Sequence, residues 1–249
     1  MKLQLDAGNT RIKWRATDNG KIVAAGHQLT HSVFDGQYLE LPGVTALASA
    51  QLSNVAGATV EANLVAQLRA QFGLNLQVAM VSERVGPLSC GYQSPETLGI
   101  DRWLAVLAAF QRHGKALVVV NAGSAVTVDI VNDEGVHQGG YIVPGMRLLQ
   151  EALWQGTDRV KIEQLKLVVS HAPGVTTEQA VSRGCQLMLL ALIERLVCGQ
   201  NPEESHELII AGGDGELLNG QLSGNGQYYP DLVLDGLNVE GVRFRTGTG

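Results

Sequence analysis

DAGNTRIKW at residues 6–14 and NAGSA at residues 121–125 are two related glycine turns, and their relation decides the fold. Alternating apolar and polar residues follow each turn, as in a β-strand, and a hairpin signal comes at the same spacing, DNG at 18–20 and DEG at 133–135. An internal duplication of a strand-turn-strand unit explains this match most simply. The chain is therefore predicted to contain two similar halves.

Each turn joins a strand to a strand, whereas a Rossmann fingerprint or a Walker loop leads from a strand into a helix. Backbone N–H groups of a glycine turn, helped by a hydroxyl such as that of Thr10 or Ser124, are suited to holding phosphate. The alternative is that each turn is only a hairpin with a favoured glycine. Because the turn occurs twice with the same surroundings, we favour phosphate binding.

The remaining sequence alternates helical and strand patterns. Apolar spacing predicts helices over 59–72, 100–113, 147–153 and 177–198, and strands over 76–81, 116–120, 126–131 and 208–211. This alternation is typical of an α/β protein. The glycine-rich last twenty or so residues are expected to be frayed.

Composition limits the classes of function. Hydrophobic residues make up 45% of the 249 residues and charged residues 17%, as in a globular protein, and the formal net charge of -6 disfavours nucleic acid as a partner. No stretch approaches the roughly 18 to 20 apolar residues of a membrane span. Three cysteines without a C-x-x-C pair favour reduced thiols, and the histidine spacing does not indicate a zinc site. A cytoplasmic protein that binds no membrane is expected.

The two turns, together with GGD at residues 212–214, resemble the actin, hexokinase and Hsp70 ATPase superfamily. The resemblance implies duplicated ribonuclease H-like domains, each a mixed sheet flanked by helices, with the active site in the cleft between them. The first domain is expected over residues 1–114, with the first phosphate turn and the substrate signature. The second is expected over 115–249, with the second phosphate turn and an adenosine-contacting motif.

Within that superfamily, residues 6–14 resemble the opening of type III pantothenate kinases, and a longer match is more specific. Residues 91–103, GYQSPETLGIDRW, are similar to the family's substrate signature Y-x-x-P-x-x-L-G-x-D-R with its spacing retained in full. The family's G-G-x-I-x-P-G matches residues 139–145, and T-x-x-A-V-x-x-G matches 177–184. The resemblance implies ATP-dependent phosphorylation of pantothenate to 4′-phosphopantothenate, the first step of coenzyme A biosynthesis.

The same resemblance implies which residues contact each ligand. Those expected to bind ATP and its phosphates are Asp6, Ala7, Gly8, Asn9, Thr10, Arg11, Ile12, Lys13, Ser124, Gly212 and Gly213. Those expected to bind pantothenate are Tyr92, Gly99, Ile100, Asp101, Arg102 and Thr177. Thr177 would come from the neighbouring subunit of a homodimer.

Two residues of the substrate signature have a chemical rationale of their own. Asp101 lies in the first turn of a predicted helix, whose dipole favours an ionised carboxylate that can orient a primary alcohol and accept its proton late in phosphoryl transfer. Arg102 offers a planar fork suited to the carboxylate of an acidic substrate. The alternatives are an acid that only stabilises the helix and an arginine in a surface salt bridge.

The expected cofactors are Mg-ATP and a monovalent cation, K⁺ or NH₄⁺. Asp6 is suited to hold the water shell of phosphate-bound Mg²⁺, and Lys13 is expected on the transferring phosphoryl group. The family usually places Asp at the cation site that begins the second turn, whereas this chain has Asn121. Asn keeps a carbonyl ligand but lacks the charge, so we expect weaker cation binding. Ser124, where the family has Thr, keeps the hydroxyl.

Two other functions stay open at this point. One is a non-catalytic regulatory or accessory protein on the same fold, which only Asn121 favours. Retention of Asp6, Lys13, Asp101 and Arg102 argues against it, because a scaffold does not need all four. The other is a kinase of a different small hydroxy acid or sugar.

Overall fold

The computed structural model describes residues 1–156, 172–198, 206–222 and 226–248. Its strands are β1 (Lys2–Ala7), β2 (Arg11–Asp18), β3 (Lys21–Leu29), β4 (Ser49–Asn54), β5 (Leu76–Met80), β6 (Arg84–Val85), β7 (Leu88–Ser89), β8 (Leu117–Ala122), β9 (Ala125–Val131), β10 (His137–Pro144), β11 (Glu207–Ala211), β12 (Gln227–Tyr228) and β13 (Arg243–Thr246). Its helices are α1 (Thr30–Phe34), α2 (Ala58–Phe72), α3 (Ile100–His113), α4 (Met146–Gly156), α5 (Thr177–Val197), α6 (Gly215–Asn219) and α7 (Leu232–Gly236), with a 3₁₀ turn over Pro95–Thr97. The α/β class predicted from the sequence is confirmed.

The chain forms two compact units, Met1–His113 with Asp231–Gly249, and Gly114–Pro230. The sequence-based domain ranges were 1–114 and 115–249. The structure differs from those ranges at the C-terminus, where the chain returns to the first unit after Pro230. The expectation of a frayed C-terminus was wrong, because β13 pairs antiparallel with β5 and α7 packs against α3.

The first unit has a mixed six-stranded sheet in the order β13-β5-β4-β1-β2-β3. Strands β1, β2 and β3 form antiparallel hairpins, whereas β4 and β5 run parallel to β1. Its core combines apolar side chains of the central strands, including Leu5 and Trp14, with the inward face of α2, including Leu64 and Leu68. Burial on both faces of the sheet favours these strands because each apolar side chain leaves water.

The second unit repeats this topology in a five-stranded sheet, order β10-β9-β8-β11-β12. Strands β8, β9 and β10 form antiparallel hairpins, and β11 and β12 run parallel to β8. The order β3-β2-β1-β4-β5 of the first unit therefore has the same pairing pattern. The duplication inferred from the two glycine turns is confirmed at the level of strand pairing.

The topology also fixes where chemistry can gather. Parallel strands end at the same edge of a sheet, so β1 and β4 deliver residues to one edge of the first unit, and β8 and β11 do so in the second. Both glycine turns lie at such an edge. Among the described residues, no helix is both long enough and apolar enough to cross a membrane.

Candidate active site

The first glycine turn is the tip of the β1–β2 hairpin. The Gly8 N–H donates to the Arg11 carbonyl oxygen at 3.0 Å, which closes the turn, and Asn9 and Thr10 are exposed. The flanking Ala7 and Ile12 are fully buried in the core. These two residues therefore anchor the turn, and any contact they make with a phosphate would come from their backbone.

Asp6, which precedes Ala7 in β1, lies half-buried near the edge of the sheet. It stands opposite Ser53 in the β1–β4 register, and the Ser53 hydroxyl donates to Asp6 Oδ1 at 3.0 Å. Burial, and secondly the charge of Asp101, raise the pKa of Asp6 to about 7, against smaller opposing effects of Ser53 and Lys13. The structure therefore brings the predicted Asp6 and Asp101 close enough to interact.

Lys13 lies opposite Asp6 on the neighbouring strand β2. Its ammonium Nζ is 2.5 Å from Asp231 Oδ1, and both side chains are partly exposed. Asp231 opens the segment that returns to the first unit just before α7. A nucleotide phosphate at Lys13 would therefore meet a cation that already has a carboxylate partner.

The N-terminus of α3 places the predicted catalytic acid. The Gly99 carbonyl accepts the Trp103 N–H at 3.0 Å as the helix begins, and Asp101 Oδ1 accepts the Arg102 N–H at 2.9 Å. An added Cβ on Gly99 would lie 2.7 Å from Asp101 Oδ1, closer than any normal contact. Glycine at this position therefore makes room for the Asp101 carboxylate.

Arg102 and Tyr92 of the substrate signature contact each other. The Arg102 Nη1 donates to the Tyr92 hydroxyl at 2.8 Å, and its guanidinium carbon lies 5.6 Å from the centre of the Tyr92 ring. Arg102 is only 4% exposed, which excludes the alternative of a surface salt bridge. Ile100, also part of the signature, is buried at the start of α3.

Two of the sequence motifs contact the glycine turn of the second unit. The Gly123 N–H donates to the Ala125 carbonyl at 3.0 Å, as in the first turn. The Gly145 N–H donates to the Ser124 carbonyl at 2.9 Å, and the Asp214 N–H to the Ala122 carbonyl at 3.1 Å. The segments 139–145 and 212–214 therefore both bind the backbone of the second turn.

Gly212 allows the segment 212–214 to approach the second turn closely. Its φ of +91° is in the region that favours glycine, and an added Cβ would lie 2.1 Å from the Ala122 carbonyl oxygen. The Tyr228 hydroxyl donates to the Gly212 carbonyl at 3.1 Å. Gly213, the next residue, has open space around it, as an adenosine contact would need.

The remaining predicted residues also lie in the second unit. Asn121 is half-buried in β8, between Thr127 of β9 and Ala211 of β11 in the sheet. Thr177 is exposed at the start of α5, where Thr176 caps the helix by accepting the Gln179 N–H. Their roles in cation and substrate binding stay predictions. The described residues hold no cluster of three or more His, Cys, Asp or Glu side chains suited to a metal ion.

Sequence reasoning missed Ser53 and Asp231. Ser53 is the penultimate residue of β4, a strand that was not predicted, because its polar residues Gln51 and Ser53 are buried along with Ala50 and Leu52. Because buried polar and apolar residues are mixed, the segment has neither a continuous apolar run nor apolar residues alternating with exposed polar ones. Asp231 was missed because its partner Lys13 is distant in sequence and no local motif surrounds it.

Comparison with known proteins agrees with this arrangement. A family model described as type III pantothenate kinase matches residues 2–198. A type III pantothenate kinase from Teredinibacter turnerae is 35% identical over 247 residues, covering 96% of this chain and 98% of that protein.

Solved structures extend the comparison to the fold. A Campylobacter jejuni protein described as a Baf family transcriptional activator has a TM-score of 0.61 at 22% identity, covering 94% of each chain. A Sinorhizobium meliloti protein described as a 2-dehydro-3-deoxygalactonokinase has a TM-score of 0.53 at 12% identity, covering 95% of this chain and 97% of that one. At these identities the likeness shows a shared fold only.

The matched length and identity, together with the substrate signature at the start of α3, lead to one conclusion. The chain belongs to the type III pantothenate kinase family.

Proposed function

We propose that this protein transfers the γ-phosphoryl group of ATP to the primary hydroxyl of pantothenate, giving 4′-phosphopantothenate and ADP, the first step of coenzyme A biosynthesis. The observation that carries the proposal is the group around the N-terminus of α3. There Asp101 interacts electrostatically with Asp6 at the first glycine turn, and the buried Arg102 follows it directly. Membership of the family supports the same reaction.

Asp101 is the proposed catalytic residue. Its carboxylate is held by the Arg102 N–H in the space left by Gly99, so it has a defined position from which to orient the substrate hydroxyl. It would accept the hydroxyl proton as the new P–O bond forms and the bond to the ADP leaving group breaks. In phosphoryl transfer, positioning of this kind contributes more than base strength.

Arg102 is the proposed partner of the pantothenate carboxylate. It is buried, it donates to the Tyr92 hydroxyl, and a guanidinium is a planar cation whose geometry suits a carboxylate. A fixed cation of this type would select an acidic substrate over a neutral sugar. This is what distinguishes pantothenate from the alternative of a sugar substrate.

The first turn and Lys13 are proposed to hold phosphates of ATP, and Ser124, Gly212 and Gly213 are the proposed nucleotide-binding residues of the second unit. The donor set around Asp6 suits Mg²⁺, which takes few protein carboxylates and keeps several waters. Bound there, Mg²⁺ would neutralise charge on the phosphate oxygens. Asn121 offers a side-chain carbonyl to a monovalent cation, K⁺ or NH₄⁺, without the charge of an aspartate.

We also propose a cytoplasmic homodimer. Large apolar side chains are exposed on β10, α4 and α5 of the second unit. These elements are adjacent, since α4 packs against both β10 and α5. The exposed side chains are Tyr141, Ile142, Leu148, Leu153, Trp154, Leu187 and Met188. A second copy of the chain would remove this surface from water, and the same arrangement would allow Thr177 to serve a neighbouring subunit.

Calorimetric titration with pantothenate tests the substrate. Wild type should bind pantothenate, and Arg102→Ala should lose that binding by a factor of about 100 or more, as expected for a buried charge pair. Arg112→Ala removes an exposed arginine from the same helix and should bind like wild type. Equal binding by Arg102→Ala and wild type, or no binding by wild type, would refute the assignment.

A further inference from the structure

Thr30 contacts the first glycine turn through two hydrogen bonds, although it lies outside every motif of the sequence. It follows β3 as the first residue of α1, and it is 5% exposed. Its hydroxyl donates to the Gly8 carbonyl at 2.6 Å, and its backbone N–H donates to the Thr10 carbonyl at 3.0 Å. One residue therefore holds two carbonyls of the turn.

The position of Thr30 follows from the sheet. Leu29, the last residue of β3, pairs with Arg11 of β2, so the chain leaves the sheet beside the tip of the β1–β2 hairpin. The next residue, Thr30, then contacts the backbone of the turn. Because Thr30 is buried, its hydroxyl cannot exchange the Gly8 carbonyl for water without cost.

The two contacts determine which way the peptide groups of the turn face. In a planar trans peptide, the carbonyl and the following N–H point in opposite directions. Since the Gly8 carbonyl points to Thr30, the N–H of the exposed Asn9 points away from Thr30. A phosphate needs N–H donors facing it, and a carbonyl oxygen turned toward it would repel its charge.

We infer that Thr30 is a positioning residue for nucleotide binding: it holds the Gly8 and Thr10 carbonyls away from the phosphate side of the turn and thereby directs the Asn9 N–H toward the phosphate. The inference rests on the proposed phosphate-binding role of the first turn. Thr30 does not touch the nucleotide in this arrangement. It lowers the ordering cost of binding by fixing the turn beforehand.

Nucleotide affinity of the full chain tests this role. Thr30→Val keeps the shape and the backbone N–H but removes the hydroxyl, so binding of a Mg²⁺-loaded non-hydrolysable ATP analogue should weaken about 5- to 10-fold, as for one buried hydrogen bond. Thr30→Ser restores the hydroxyl and should bind like wild type. Thr17→Val is the matched control, since its hydroxyl donates to the Lys2 carbonyl at 3.5 Å, away from the turn. It should leave affinity unchanged.

In the comparison of Thr30→Val with Thr17→Val, three outcomes would overturn the inference. They are wild-type affinity in Thr30→Val, an equal loss in Thr17→Val, and a parallel loss of pantothenate and nucleotide binding in Thr30→Val, which would indicate a purely structural role. If Thr30→Val does not fold, Thr30→Ala and Thr30→Ser form the deciding pair, and equal nucleotide affinity in the two overturns it.

The readout also separates this inference from the proposed function. A wild-type protein that binds the nucleotide analogue but does not phosphorylate pantothenate would refute the proposed function and leave the Thr30 comparison valid. A wild-type protein that binds no nucleotide would overturn both.

Discussion

The Asp6 carboxyl lies near a sheet edge with Ser53 donating to it, and burial raises its pKa from the ordinary 3.8 to about 7. Between these values the folded state binds a proton that the unfolded state has released. Stability therefore falls as the pH rises through this window. Above pH 7 the ionised Asp6 destabilises the fold. A bound cation near its carboxylate would offset this loss of stability.

Replacing Asp6 by Asn keeps an acceptor for Ser53 and removes the charge. Asp6→Asn should therefore gain stability relative to wild type as the pH rises, and its advantage should be about 2–3 kcal/mol larger at pH 8 than at pH 5. Urea unfolding at the two pH values measures the difference. Asp35→Asn, at an exposed position, is the control for removing an aspartate charge, and the same stability gap at both pH values in Asp6→Asn would contradict the argument.

Gly99 gives a second prediction at this scale. A methyl group there would meet Asp101 Oδ1 at 2.7 Å, and the carboxylate would have to move. We expect Gly99→Ala to lower kcat by about 10- to 100-fold, because a shift of about 1 Å in a catalytic group has effects of that size. Nucleotide affinity should stay the same.

Gly220→Ala is its control, since a Cβ there meets only ordinary contacts, at 3.7 Å. Steady-state kinetics on both variants provide the comparison. An unchanged kcat in Gly99→Ala would contradict the proposed catalytic role of Asp101.

Individual site residues differed in how far the sequence predicted them. Asp101 and Arg102 were predictable because one short segment fixes their spacing. Ser53 was not, because its contact with Asp6 depends on the parallel register of β1 and β4, which no local pattern reveals. Thr30 was not, because its hydrogen bonds are to the backbone of a turn that belongs to another strand pair.

At the scale of elements, helical spacing and turn signals predicted most of what the structure contains. Helices α2 and α3 and both hairpins lie where periodicity and the DNG and DEG signals predicted them. The C-terminal strand β13 was missed because its short sequence is flanked by glycines. Contacts with distant parts of the chain hold β13 in place, since Arg245 pairs with Glu61 of α2 at 2.6 Å.

The Glu61–Arg245 pair should measurably stabilise β13. Burial raises the pKa of Glu61, but hydrogen bonds and charge from Arg245, with Asn54 and the Thr248 N–H, outweigh it and leave the pKa lowered. The contribution is thus present above the unfolded pKa and is lost as the pH falls. Because Arg245 is partly exposed, water screens the pair and we expect about 1–2 kcal/mol.

Arg245→Met should lower the free energy of unfolding by that amount at pH 7 and by less near pH 4. Arg243→Met removes an exposed arginine from the same strand and should change it little. Urea titrations at both pH values check this. Equal losses in the two variants would mean that the pair does not hold β13.

At the scale of the whole molecule, the two sheets share one pattern of strand pairing, which the paired glycine turns predicted. The turns could reveal the duplication because each needs the same strand-turn-strand frame. They could not reveal the return of residues 231–248 to the first unit, because that depends on long-range contacts of α7 and β13. The ion pair between Lys13 and Asp231 also depends on this return of the C-terminal segment to the first unit.

Self-association is a property of this scale. The protein is expected to be a dimer at micromolar concentration, and Trp154→Glu should make it monomeric by placing a charge in the exposed apolar surface of the second unit. Phe34→Glu is matched in exposure, 54% against 51% for Trp154, but lies in the first unit and should leave the dimer intact. Sedimentation velocity gives the result. A monomeric wild type, or a dimeric Trp154→Glu, would contradict the proposal.

The most direct test of the central claim is ADP release from Mg-ATP, measured with and without pantothenate and with and without potassium. The account predicts release that requires pantothenate, is increased by potassium, and falls about 100-fold or more in Asp101→Asn. Asn121→Asp should bind potassium more tightly and need less of it. If neither wild type nor Asn121→Asp releases ADP in a pantothenate-dependent manner, the assignment of this site to pantothenate phosphorylation is contradicted.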